Sequence, residues 1–197
     1  MFFFTTDRFA KTNRRPVRAL RYCLICLLVT QSLTAGQSAN ENEVKAVYVY
    51  NFASFVSWPS SPEHTSGQPF RICALGENPV SRLLPKVIEG EKIHDRTMVF
   101  QIITDSDNPK NCQILFVASK DRERVAAVLN KVRNQPILTV GEQSGFAREG
   151  GHIEFGLSSS RIHLIINRQR VDQSGLRVSA KLYRLAEVLE PEEPTKP

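Results

Sequence analysis

The stretch Cys112-Gln-Ile-Leu-Phe-Val-Ala118 decides the fold, because it is a strand-like segment that is almost entirely apolar. Strands of this kind are typical of parallel sheets whose two faces are both covered. Further strands are predicted on either side of it, at Thr97 to Thr104 and at Pro136 to Val140. Between Cys112–Ala118 and Pro136–Val140, the segment Asp121 to Arg133 carries apolar residues at helical spacing. This alternation of strand and helix predicts an α/β domain with a largely parallel sheet.

The alternation extends toward the amino terminus and changes in the carboxyl-terminal third. Phe70 to Leu75 is predicted to be a strand, and Pro79 to Glu89 a helix with proline in its first turn. Farther along, His152 to Leu157 and Arg161 to Ile166 alternate apolar and polar residues, which predicts a β-hairpin appended to the sheet. A terminal helix is predicted from about Val178 to Leu189. We therefore expect one domain, with helices flanking the sheet.

A first helix is predicted from Asn40 to Ser57. Asn40 as N-cap and Glu43 at the third helical position match a capping box. Trp58-Pro59 ends the helix, because proline disfavours the α conformation of the preceding residue and offers no N–H. Apolar side chains at intervals of three and four predict one buried stripe. They are Val44, Tyr48, Phe52, Phe55 and Val56.

Residues 1–39 are typical of a secretory signal peptide. Basic residues precede the apolar stretch Tyr22 to Leu33, and small residues at Ala35, Gly36 and Ala39 suit cleavage. The apolar stretch is too short to span a membrane as a helix, which needs about twenty residues. We therefore expect an exported protein with a mature domain at 40–189. The acidic, proline-rich residues 190–197 are predicted to be a disordered tail.

The net charge of +6 does not indicate a nucleic-acid partner. The first 36 residues hold six Lys and Arg residues against one acid, which leaves 20 basic and 19 acidic residues in the rest of the chain. No basic stripe remains after cleavage. A protein that binds the phosphate backbone is therefore excluded by composition.

Two cysteines, Cys73 and Cys112, remain once the leader is removed. Each lies at or near the start of a predicted strand, and adjacent strands bring Cα atoms within disulfide range. In an exported protein such a pair favours a disulfide. Two buried free thiols are the alternative. Zinc is disfavoured, because two cysteines without nearby histidines supply too few ligands.

No catalytic or metal-binding motif stands out. The four histidines lack the His-x-x-x-His spacing that places two imidazoles on one helical face. Gly141-Glu-Gln-Ser-Gly145 lacks the serine spacing of a nucleophile elbow. Leu75-Gly-Glu-Asn-Pro79 has one glycine where a dinucleotide-binding turn needs three. We therefore expect a protein that is not an enzyme and that uses neither metal nor cofactor.

Five residues are candidates for contact with a partner or a ligand: Phe55, Trp58, Phe146, Arg177 and Lys181. Arg177 and Lys181 are four apart in the predicted terminal helix, so they share a face that suits an anionic ligand or an acidic partner. A solvated basic face paired with Glu187 or Asp172 is the alternative. The aromatic residues suit exposed anchors, although Phe146 equally suits a cap on the core.

Seven motifs occur together in the order typical of one family. They are Asn51-Phe-x-x-Phe-Val-x-Trp-Pro59, Arg71-Ile-Cys-Ala-Leu-Gly76, Cys112-x-Ile-Leu-Phe-Val117, Pro136-Ile-Leu-Thr-Val140, Phe146-x-x-x-Gly-Gly151, Ile166-Asn167 and Leu176-x-Val-Ser-Ala-Lys-Leu182. On these residues the chain resembles the YfiR family of periplasmic proteins, from about Val44 to Leu189. The ordered set is far more specific than any single motif.

The resemblance implies a regulator. YfiR-like proteins repress an inner-membrane diguanylate cyclase by binding its periplasmic segment, which holds the cytoplasmic GGDEF domain inactive. An OmpA-like outer-membrane lipoprotein sequesters the repressor, and its release raises cyclic-di-GMP and favours exopolysaccharide and biofilm. The resemblance also implies a homodimer that is sensitive to periplasmic redox state.

The chain departs from the family pattern in two respects. It has one mature cysteine pair, so behaviour that depends on a second bridge is not expected, and Tyr183 stands where an aliphatic residue is usual. Beside the regulator, the sequence leaves open a periplasmic small-ligand binder that uses Arg177 and Lys181 in a cleft at the sheet edge. A hydrolase is the weakest alternative, because no nucleophile and base pair is visible.

Overall fold

The computed structural model describes residues 32–59, 67–158 and 161–191, with side chains described from residue 41 onward. The chain divides into two units, residues 1–40 and 41–197. Of the first unit only a helical segment from residue 32 is described. Most of the predicted signal peptide, and the predicted tail beyond residue 191, lie outside the described residues.

The described helices and strands alternate along most of the chain. The helices are α1 (Ser32–Phe55), α2 (Pro79–Val87), α3 (Arg122–Lys131), α4 (Arg168–Gln173) and α5 (Ala180–Tyr183). The strands are β1 (Val56–Ser57), β2 (Phe70–Leu75), β3 (Lys92–Ile93), β4 (Arg96–Ile103), β5 (Ile114–Val117), β6 (Leu138–Gly141), β7 (Ile153–Ser158), β8 (Arg161–Asn167), β9 (Arg177–Val178) and β10 (Ala186–Leu189).

Eight of these strands form one mixed sheet in the order β10-β8-β7-β6-β5-β2-β4-β3. The five central strands from β4 to β7 pair in parallel, as do β8 and β10. β7 and β8 pair antiparallel, and so do β3 and β4. β1 and β9 form a separate two-stranded antiparallel pair. The predicted α/β domain and the appended hairpin are therefore confirmed.

The first helix differs from its prediction at both ends. It begins at Ser32, so Asn40 lies inside it and the predicted capping box does not start it, and it ends at Phe55. Helix propensities differ by only tenths of a kcal/mol for most residues, so one asparagine does not stop a helix. The buried face is also rotated: Val44 is 39% exposed, while two alanines lie against the core. The fully or nearly fully buried apolar residues of α1 are Ala46, Val49, Phe52 and Ala53.

The predicted terminal helix from Val178 to Leu189 is wrong. Ser179 caps the single turn of α5, and the chain then extends as β10 beside β8. Leu182 is buried but Leu185 is 63% exposed, which a continuous amphipathic helix would not show. The apolar spacing of this segment fits a helix and a strand almost equally well over so few residues. Pairing with the edge of the sheet decides between the two.

The sheet separates two clusters of buried side chains. Residues 72 and 74 of β2 and 114 and 116 of β5 point to one side, where α1 and α2 supply the covering residues; we call it the α1 face. The alternate residues point to the other side, where α3 supplies the cover; we call it the α3 face. No helix in the described ranges is long and apolar enough to cross a membrane.

Candidate functional site

One candidate contact surface lies where the end of α1 meets the carboxyl-terminal segment. The short strands β1 and β9 place Ser57 opposite Arg177, and the backbone N–H of Ser179 donates to the carbonyl of Phe55 over 2.8 Å. Lys181 follows on α5. We call this surface the β1–β9 patch, made of Phe55, Ser57, Trp58, Arg177 and Lys181. Four of the five predicted contact residues therefore lie in one region.

Lys181 and Arg177 do not share a helical face, because Arg177 belongs to strand β9. The pairing of β9 with β1 brings them to one patch by a different route. The ammonium nitrogen of Lys181 lies 5.6 Å from the ring centroid of Phe55, a cation–π distance. Glu187 was an expected partner of these two cations, but its Oε1 lies 3.7 Å from Nη2 of Arg148 instead. Within the described residues neither patch cation has a carboxylate within 4 Å.

Trp58 anchors the patch to the sheet. Its indole stands edge-on to Phe70 at a centroid distance of 5.1 Å, and its Nε1 donates to the carbonyl of Gln113 over 3.1 Å. The side chain is half-buried, so part of the ring faces solvent. Because Phe70 of β2 and Gln113, just before β5, hold the indole, Trp58 ties the end of β1 to the amino ends of these two strands.

Phe146 is fully buried and does not form an exposed anchor. Its ring lies between Gly141 and Gly151, and a Cβ at either position would overlap it. Larger side chains at those two positions would displace the ring. The alternative interpretation, that Phe146 caps the core, is therefore the correct one.

The predicted disulfide is present. Cys73 lies in β2 and Cys112 just before β5, with their Cα atoms 5.8 Å apart. Both residues are at most 2% exposed and belong to the α3 face. A reductant therefore reaches the bond only when the structure opens locally.

A second region lies at the carboxyl ends of the parallel strands. After β2 the chain forms β4 on one side of β2 and then β5 on the other side, so the strand order reverses at β2. Ligands of open α/β sheets bind at such a switch point. A cleft of about 360 Å³ lies here, lined in part by Asn78, Lys120 and Gln143. It adjoins a cleft of about 620 Å³ with which it shares Asn78, Lys120, Glu142 and Ser144. We call the two together the switch-point cleft.

Buried polar contacts form one wall of the switch-point cleft. Lys45 of α1 is 5% exposed and its Nζ donates to Glu142 over 2.8 Å, while Asn78 donates to the same carboxylate over 2.6 Å. Burial alone would lower the pKa of Lys45, but Glu142 and Glu41 outweigh it and the pKa is raised. In the described part of the chain the buried amide of Gln143 has no hydrogen-bond partner. The sequence did not single out these residues, since they are far apart in it.

A buried histidine links the end of the α3 face to α4. The Nδ1 of His152 accepts from the backbone N–H of Thr139 over 3.2 Å, so the proton resides on Nε2, which lies 3.0 Å from Ser174 Oγ. Burial, and then the charge of Arg170, lower the pKa of His152 to about 3. Ser174 Oγ in turn donates to the carbonyl of Val171. This pair is enclosed, with His152 only 1% exposed.

The three histidines that the structure describes do not gather into a metal site. His152 precedes β7, whereas His163 lies in β8 opposite Gly156. Over the described residues no group of three or more His, Cys, Asp or Glu side chains is placed to hold an ion. His64 lies outside those residues.

Comparison with models of protein families gives a match. The family model described as YfiR/HmsC-like matches residues 42–187, which is most of the chain and includes all of the large sheet except the end of β10. No curated protein matches. The matched range includes both cysteines of the disulfide, the whole β1–β9 patch and the switch-point cleft. The chain belongs to the YfiR/HmsC-like family.

Proposed function

We propose that this protein is a periplasmic negative regulator that binds an inner-membrane GGDEF diguanylate cyclase and holds it inactive. The family match over residues 42–187 carries the proposal. The regulator acts by occupancy: it binds the inactive arrangement of the cyclase more tightly than the active one, and so shifts the equilibrium between them. Output of cyclic-di-GMP, and with it exopolysaccharide and biofilm, falls while the regulator is bound.

The β1–β9 patch is the surface that we assign to the cyclase. It combines two cations without a carboxylate partner among the described residues and two half-buried aromatic side chains, Phe55 and Trp58. Aromatic residues and arginine dominate the energetics of protein interfaces. A partner segment with acidic residues beside an apolar side chain would complement it.

Binding of the cyclase's periplasmic segment tests this assignment. We expect the mature protein to retain that segment in a pull-down, and the double variant Arg177→Gln/Lys181→Gln to lose at least about tenfold in affinity, since close charge pairs at interfaces are worth more than 1.5 kcal/mol. Arg82→Gln/Lys86→Gln is the matched control, because it removes an exposed Arg and Lys four residues apart on α2.

If the wild type and the patch variant retained the cyclase segment equally, the β1–β9 patch would not be the binding surface. No retention of the segment by the wild type would count against the proposed function itself.

Three further properties belong to the same proposal. The protein is not an enzyme, which agrees with the enclosed position of the His152 and Ser174 pair. It forms a homodimer, and an OmpA-like outer-membrane lipoprotein removes it from the cyclase. The buried disulfide makes its activity dependent on redox state through local opening of the α3 face.

A small-ligand binder is the second candidate function. The switch-point cleft and the unpartnered amide of Gln143 favour it, because buried polar groups normally have a partner. This cleft replaces the expected site around Arg177 and Lys181. Thermal-shift screening with nucleotides and amino acids separates the two functions: a specific stabilisation that Gln143→Leu abolishes supports the ligand binder.

A further inference from the structure

A separate cleft lies near the end of α3, where the chain approaches the amino end of β6. It is therefore at the end of the parallel strands opposite the switch point. It has a volume of about 420 Å³ and is lined by Arg133, Asn134, Arg170 and Gln173. Arg133 and Asn134 follow α3, while Arg170 and Gln173 lie on α4. We call it the arginine cleft. It shares no lining residue with the β1–β9 patch or with the switch-point cleft.

The charge in the arginine cleft is not balanced. Arg170 is 9% exposed, and burial lowers its pKa, as does the charge of nearby Arg133. Across the part of the chain that the structure describes, no carboxylate lies within 4 Å of either guanidinium. Buried charges in proteins are normally paired, because removing a charge from water without compensation is costly. Arg133 is exposed and solvated, so the guanidinium of Arg170 is the buried charge, and an anion from solution would compensate it.

The hydrogen bonds of Arg170 determine which donors face the cleft. Its Nε donates to the carbonyl of Gly150 over 3.0 Å, and its Nη1 donates to Oε1 of Gln173 over 2.8 Å. These contacts fix the guanidinium plane and leave Nη2 as a donor. Since Oε1 of Gln173 faces Arg170, the amide nitrogen of Gln173 is available as a further donor. Fixed donors beside a second guanidinium are the usual means of holding a carboxylate or phosphate group.

We propose that the arginine cleft binds a small molecule through a carboxylate or phosphate group. The anion accepts from Nη2 of Arg170, from the guanidinium of Arg133 and from the amide of Gln173, and it supplies the missing negative charge. This binding is independent of the regulatory function proposed above.

Calorimetric titration of the mature protein with inorganic phosphate and with citrate tests the proposal. Sodium chloride at equal ionic strength controls for general screening. We expect saturable binding of at least one probe, and which probe binds more tightly distinguishes a phosphate ligand from a carboxylate ligand. Arg133→Gln should weaken binding about tenfold or more, as expected for a lost hydrogen bond between charged groups. Arg148→Gln, an exposed arginine on the loop after β6, should leave it unchanged.

Gln173→Glu separates binding from a structural role. The new carboxylate would pair with Arg170 within the cleft, so this variant should melt at a higher temperature without added anion and no longer bind the probes. Absence of saturable binding to the wild type would overturn the proposal. Equal affinities of the Arg133→Gln and Arg148→Gln variants would overturn it as well.

Discussion

The two faces of the sheet are held by different means. Among the described residues, the α1 face buries a cluster of 23 apolar side chains, while the α3 face buries 12. The smaller cluster includes the disulfide between Cys73 and Cys112, and it borders the hydrogen-bonded network of His152. The α1 face thus relies mainly on apolar packing, with the Lys45–Glu142 ion pair and the Trp58 hydrogen bond at its borders. The α3 face supplements a thinner apolar layer with a covalent bond and buried polar contacts.

This difference teaches where the environment can act on the molecule. Apolar packing responds little to pH or to reductant. A disulfide, in contrast, responds to reductant, and a buried neutral histidine responds to pH. Sensitivity to periplasmic conditions should therefore concentrate on the α3 face. The following changes test that contrast, beginning with the largest expected effect.

Removal of the disulfide should weaken the α3 face most. In the double variant Cys73→Ala/Cys112→Ala, the free energy of unfolding should fall by about 4 kcal/mol, the chain-entropy value for a loop of about 40 residues. Denaturant titration gives the total loss. Amide hydrogen exchange should accelerate in α3 before it does in α1. Equal acceleration in both helices would contradict the contrast.

Acid should destabilise the α3 face through His152. Its folded-state pKa of about 3 lies below the unfolded value of about 6.5, so the unfolded state binds more protons between these limits. The free energy of unfolding should therefore decrease as pH falls through that window, by about 2 kcal/mol between pH 8 and pH 5. His152→Gln should lose this component, as measured by denaturant titrations at the two pH values. A variant with the same pH dependence as the wild type would exclude His152 as the cause.

Loss of one hydrogen bond at the α1 face should have a smaller effect. Trp58→Phe keeps an aromatic ring against Phe70 but removes the bond from Nε1 to Gln113, which should lower the free energy of unfolding by about 1 kcal/mol. Thermal unfolding followed by circular dichroism measures the change. Tryptophan fluorescence is unsuitable, because the variant lacks the chain's one tryptophan. A loss as large as that from the disulfide would show that the indole, not the apolar cluster, holds this region.

Stability should change least at the β1–β9 patch. Arg177→Gln/Lys181→Gln removes two exposed charges and one cation–π contact, which together should cost less than about 1 kcal/mol. Thermal unfolding beside the Arg82→Gln/Lys86→Gln control checks it. A larger loss would mean that the patch is structural, and any effect of the variant on binding would then need another explanation.

The sequence predicted the central sheet well because strands such as β2 and β5 are short apolar runs whose pattern is local. Phe70 to Leu75 was predicted with the same bounds that the structure has. The disulfide followed from two cysteines left after the leader. The terminal segment could not be predicted, because the pairing of β10 with β8 is a tertiary contact that overrides local spacing.

The candidate sites show the same limit. Arg177 and Lys181 were predicted to share a helical face and Phe55 was a separate candidate, but only the pairing of β1 with β9 shows that all three lie in one patch. The arginine cleft joins residues 37 positions apart, Arg133 and Arg170, which no local pattern relates. The sequence left Phe146 open between a contact residue and a cap on the core, because its burial depends on how Gly141 and Gly151 close around the ring.

Cyclic-di-GMP measured in bacteria that carry the cognate cyclase is the most direct test of the regulatory function. Deletion of this protein should raise the level, and the wild-type protein or the Arg82→Gln/Lys86→Gln control should restore it. The Arg177→Gln/Lys181→Gln variant, present in the same amount, should fail to do so. An unchanged level on deletion would contradict the account.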